Sequence, residues 1–223
     1  MHIVSLDIGK FPELSGLDIF LGHSELKLKL VLDIFLPKEK GFDFEKIYRT
    51  VASFLPNLNK HKCWARLLGG SAPRGGKKDL HFQSIGGITD IAHLTEHMII
   101  DLQATIGQME TCSGLTCGYQ DPANRFDLFI ECHNSRVATF SSFLAVKMMK
   151  ELLWKGSLSN EYLRTIQLAK YLNAEPELMS SLNKLSHKLN CQKDELILHI
   201  KELIDLKFLN KDFLLSVPHK KEK

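Results

Sequence analysis

The run ELKLKLVLDIF at residues 25–35 alternates without a break. Leu26, Leu28, Leu30, Leu32 and Ile34 fall on one side, and Glu25, Lys27, Lys29 and Asp33 fall mostly on the other. A period of two held this long predicts a strand with one buried face, and strands of that kind belong to antiparallel sheets. Such a sheet needs a cover for its leucine face. The chain offers three helical patterns for that purpose. Residues 44–55 carry Ile47, Val51, Phe54 and Leu55 until Pro56 stops them, residues 89–103 run on without Gly or Pro to Gly107, and residues 136–154 are broadly apolar behind a cap at Ser135. Further strands are expected at 2–8, 80–85, 110–119 and 125–133, with QDPAN as the turn between the last two. The fold class is therefore α+β, an antiparallel sheet backed by helices.

Within the middle helix, TDIAHLTEHMIIDLQ, Thr89 and Asp90 read as N-caps, and Ile91, Leu94, Met98, Leu102 and Ile106 form an apolar stripe. At about 100° per residue, His93 and His97 lie one above the other with Glu96 to one side, all facing away from the centre of that stripe. Two imidazoles four apart on a helix can grip one Zn²⁺, and a carboxylate one place before the second His can take a proton from a water that the ion activates. The order His-x-x-Glu-His is the inverzincin motif. It makes His93 and His97 candidate metal ligands and Glu96 the candidate catalytic base. A third ligand must come from elsewhere. In RFDLFIECH at 125–133, Glu131 and His133 point the same way, and either could close the site; Glu131 is the better placed. The plainer alternative is that the helix face is merely solvated and these two residues are the polar edge of a sheet.

Composition narrows the rest. A formal net charge of +3 gives no nucleic-acid footprint, and part of it sits in the basic tail at 219–223, HKKEK. No apolar run is long enough to span a membrane. The first residues alternate like a strand rather than reading as a secretory signal, and five cysteines make an odd set, so the expected compartment is the reducing cytoplasm. GGSAPRGGKK at 69–78 is rich in glycine and cations but lacks the order of a phosphate-binding loop and reads as a loop or lid.

Gly156 and Ser157 mark the expected boundary between a domain at 1–155 and a helical one at 156–223. Residues 185–209 have the cadence of a helix-turn-helix: a short helix, a turn at Asn190 and Cys191, then a second helix ending in LKFL, which usually leads to a wing. The would-be recognition face carries Gln192, Lys193, Asp194, Glu195, His199, Lys201 and Glu202, a mixture that neutralises phosphate poorly, so docking of a protein partner or self-association fits it better than DNA.

The run AHLTEHMIIDLQ, followed by Gly107, Gly114-Leu115-Thr116, Pro122 and a strand ending at Glu131, resembles the N-terminal domain of cyanophycin synthetase. The upstream FEKIYRTVASFLPNLNKHKC at 44–63 extends the resemblance, which covers roughly the first 150 residues. Where that family has Thr-Arg, this chain has Thr116-Cys117. The resemblance implies a polymer-binding module that in some members is a hydrolytic centre clipping cyanophycin, a poly-aspartate bearing arginine. It does not extend past residue 155 to the modules that make the polymer, so ATP-dependent synthesis is not expected. The functional expectation is a zinc-dependent hydrolase of peptide or isopeptide bonds, with a peptide-like or polymeric amide substrate. The rivals are a non-catalytic polymer- or protein-binding regulatory module and, behind it, a DNA-binding regulator.

Overall fold

The computed structural model describes residues 1–14, 25–36, 43–58, 87–109 and 112–212. The strand expected at 80–85, the glycine-rich loop at 69–78 and the tail at 219–223 lie outside them. In chain order come β1 (His2–Gly9), β2 (Lys27–Asp33), α1 (Phe44–Phe54), α2 (Ile88–Gly107), β3 (Gly114–Gly118), β4 (Arg125–Glu131), α3 (Ser135–Lys155), α4 (Glu161–Ala174), a 3-10 turn (Pro176–Ser180), α5 (Leu182–Leu189) and α6 (Lys193–Asp205).

The four strands form one antiparallel sheet in the order β1-β2-β4-β3. Its register follows the alternation of β2. Leu28, Leu30 and Leu32 stand opposite Ile130, Leu128 and Phe126, and all three leucines are wholly buried against the helices. Each such burial is worth about 1.5–3 kcal/mol, and a one-residue slip would turn the whole set to the other face, so the register is firmly specified. At the strand ends Asp33 pairs with Arg125 through two hydrogen bonds of 2.7 and 2.9 Å, pinning the same alignment. The opposite face is not simply polar. Phe129 is buried there with Leu14, packed by Phe11, Leu115 and Cys117.

Two caps differ from their expected places. The helix α2 starts at Ile88 behind Gly87, whose φ of 72° suits a residue without a side chain, so Thr89 and Asp90 lie inside the first turn. There the Asp90 carboxylate still favours the positive end of the helix dipole. In α3 the cap is Asn134, whose side-chain oxygen accepts from the N–H groups of Arg136 and Val137, leaving Ser135 as the first helical residue.

The helices that follow Gly156 share the core of the sheet domain. A single apolar cluster runs from Leu28 through Leu94, Met98 and Phe140 to Leu168, Ile200 and Phe208. Phe208 stacks edge-on against Phe140, with ring centroids 5.1 Å apart, and lies beneath the Arg136 guanidinium. The Asn173 side-chain amide donates to the Ile106 carbonyl in the last turn of α2. The helix-turn-helix cadence is realised by α5 and α6, with Asn190 in the left-handed region between them. Leu206, Phe208 and Leu209 turn back into the core there. Among the described residues no helix is long and apolar enough to cross a membrane.

Candidate metal centre

Helix α2 is buried on nearly every side because the sheet, α3 and α4 all pack against it. The three motif residues accordingly do not face open solvent. Glu96 and His97 are 4% and 5% exposed, and only His93 is half-buried. One helical turn brings the Nε2 atoms of His93 and His97 to 3.1 Å, where in the absence of an ion one ring donates to the other. Burial lowers the His93 pKa, against the opposing pull of the Asp90 carboxylate, and so favours the neutral ring that offers a lone pair.

Glu96 points toward the sheet edge. The Thr116 hydroxyl of β3 donates to its Oε2. Gly114, two residues earlier on the same face of β3, lies so close that a Cβ there would be 2.5 Å from Glu96 Oε1 and 2.9 Å from Cγ and Cδ. The glycine is what allows strand and carboxylate to meet. Burial raises the Glu96 pKa to about 7, with the Thr116 hydrogen bond working against the rise.

His93, Glu96 and His97 thus form a compact donor set, with one ligand atom from each lying within 4.8 Å of the others. Two nitrogens about 2.0–2.1 Å from a tetrahedrally coordinated ion sit roughly 3.3 Å apart, close to the separation of the two imidazoles, so this cluster could hold a metal. Glu131 is not one of the three. Alternation along β4 sends Leu128 and Ile130 to the α2 side, and Phe129 and Glu131 to the other. The Glu131 carboxylate is wholly buried and accepts from the N–H and the hydroxyl of Ser113 at 3.0 and 2.9 Å. Its backbone carbonyl accepts from Gln103 and Cys112, both at 3.2 Å. It fastens the start of β3 to β4. His133 is exposed, just beyond the end of β4.

Reading the sequence missed Gly114 and Thr116 as partners of Glu96. The signal available was the Gly-Leu-Thr triplet, whose two end residues share a strand face by alternation.

A family model described as the cyanophycin synthase-like N-terminal domain matches residues 27–154, more than half of the chain. The chain belongs to this family. The cyanophycin synthase-like match opens with β2 and closes one residue before the end of α3, so it takes in the whole donor cluster and both residues of β3 that contact Glu96. β1 and the helices from α4 onward lie outside it. No curated protein matches the chain.

Proposed function

We propose that this protein is a metal-dependent amide hydrolase, with zinc as its ion and cyanophycin or a related aspartyl-arginine polymer as its substrate. The observation that carries the reading is the meeting of two imidazole nitrogens and a carboxyl group in one largely buried volume. In this reading His93 and His97 hold the ion through Nε2, the type of donor that zinc favours. Bound zinc supplies Lewis acidity, polarising the scissile carbonyl and acidifying the attacking water. Glu96 handles the proton. Thr116 occupies its Oε2, so Oε1 takes the proton from water and returns it to the leaving nitrogen. Burial favours the protonated form of this carboxyl group, which helps it hold the proton between the two transfers. The substrate comes from the family, whose description names cyanophycin.

The test separates chemistry from ligation. Glu96→Gln should retain zinc and lose cleavage of cyanophycin by roughly 10²-fold or more. His97→Ala should lose the zinc itself, with partial recovery in excess metal. Wild-type protein that carries no transition metal and gains no thermal stability from added zinc would overturn the reading.

A further inference from the structure

The strand that touches Glu96 is also an edge of the sheet. β3 pairs with β4 on one side, and among the described residues no strand pairs with it on the other. The phase of the ladder follows from two hydrogen bonds: the Glu131 N–H donates to Ser113 O at 2.9 Å, and the Tyr119 N–H donates to Arg125 O at 3.0 Å. Ser113, Leu115, Cys117 and Tyr119 therefore turn their backbone groups toward β4. The N–H and C=O groups of the alternate residues, Gly114, Thr116 and Gly118, point away from the sheet. These include the two residues that flank the Glu96 carboxyl. From Gly114 to Cys117 β3 is half-buried, and Gly118 is exposed.

An open row of donors and acceptors is a template for one more strand, and main-chain pairing of this kind is a common way to seat an extended peptide. We infer that the edge of β3 with no pairing strand among the described residues is the substrate seat: an extended polyamide main chain adds to the sheet beside β3 and is carried past Glu96. This rests on the hydrolase reading for what happens next, but the binding step stands apart from it. Recognition through main-chain amides tolerates varied side chains, and demands successive amide links at the strand rise of about 3.3–3.4 Å per residue. Over the length of β3 that corresponds to a stretch of about five residues. The proximity of Gly114 and Thr116 to Glu96 makes this edge continuous with the donor cluster and commits it to the chain being cut rather than to another copy of the protein.

The experiment is residue-resolved amide hydrogen exchange on full-length, zinc-loaded Glu96→Gln protein. It is run free and with saturating aspartate-rich decapeptide, and again with the same decapeptide N-methylated at every second residue. Free protein should exchange quickly at Gly114, Thr116 and Gly118, and slowly at Leu115 and Cys117. The unmodified peptide should slow the first three by about tenfold or more, the scale of one added hydrogen bond, and leave the other two unchanged. The N-methylated peptide should protect none of them. Slow exchange at Gly114, Thr116 and Gly118 in the free protein, protection without alternation, no change at saturation, or equal protection by both peptides overturns the inference. Alternating protection by the peptide, with wild-type protein that cleaves neither it nor cyanophycin, would leave the seat standing and remove the hydrolase. Cleavage without alternating protection would do the reverse.

Discussion

Gly114→Ala puts one methyl group where the structure has no room for it. A Cβ at this position would sit 2.5 Å from Glu96 Oε1, about 1 Å inside ordinary contact, with Cγ and Cδ at 2.9 Å. Either the carboxyl group swings away or β3 moves off the helix. In the first case Glu96 gives up the Thr116 hydroxyl, worth about 1.5–3 kcal/mol, and in the second the overpacking costs about 1–3 kcal/mol. Replacing a glycine also restricts the unfolded chain, which returns about 0.4–1 kcal/mol. The net loss is then about 1–2 kcal/mol, or roughly 2–8 °C in the midpoint of thermal unfolding for a chain of this size. A double-mutant cycle with Glu96→Ala supplies the sharper readout. Once the side chain that the methyl meets is gone, adding Gly114→Ala should cost little, so the two changes should be strongly non-additive. Unfolding midpoints for the four proteins, measured with chelator present, decide the matter. Additive effects, or a Gly114→Ala protein as stable as wild type, would mean that the glycine is not what lets β3 meet Glu96.

Three other outcomes are expected. Glu131→Gln keeps an acceptor oxygen for Ser113 and should hold zinc and stability near wild type, whereas Glu131→Leu strands the Ser113 N–H and hydroxyl and should cost about 2–3 kcal/mol; zinc lost from the Gln protein would make Glu131 a ligand after all. In chelated protein the raised pKa of Glu96 means that the folded state keeps a proton which the unfolded chain releases above about pH 4.5. Its contribution to stability therefore falls as pH rises from there and levels off above about 7, by about 3 kcal/mol in all. Denaturant midpoints of wild type and Glu96→Gln at pH 5 and pH 8 check this, and a wild-type-minus-variant difference that does not change with pH refutes it. Phe208→Ala removes a ring buried against Phe140 and should cost about 3–5 kcal/mol in one cooperative transition spanning the whole chain; a separate melting of the C-terminal helices would refute the shared core.

What could be read directly from the sequence was whatever repeats along a single element. The alternation of β2 announced its buried face, and the four-residue spacing of His93 and His97 announced their contact, because both are properties of one strand or one helix. What could not be read was which faces meet. The polar residues of α2 suggested an open side, but the packing of sheet and helices around α2 buries Glu96 and His97 almost as deeply as the leucines. Glu131 was a reasonable third ligand on spacing alone. Its parity with Phe129 acquires meaning only once the opposite sheet face is known to have a small core of its own. Gly114 and Thr116 matter through a contact between elements, and nothing local in Gly-Leu-Thr says that a glutamate will be set against it.

The family match closes at residue 154, and two residues later Gly156 ends α3 with a φ of 75° and its N–H on the Leu152 carbonyl. The family match ends and the chain turns there, but cohesion does not end. Phe208 lies under Arg136 and against Phe140, and Asn173 holds the last turn of the helix that bears the histidines. The segment beyond the family match is, mechanically, part of the mounting of the donor cluster. A graft that moved residues 27–154 into another protein would carry the motif away without its support. Tuning the C-terminal helices would in turn be a way to stiffen or loosen the donor cluster without touching a single residue of the motif.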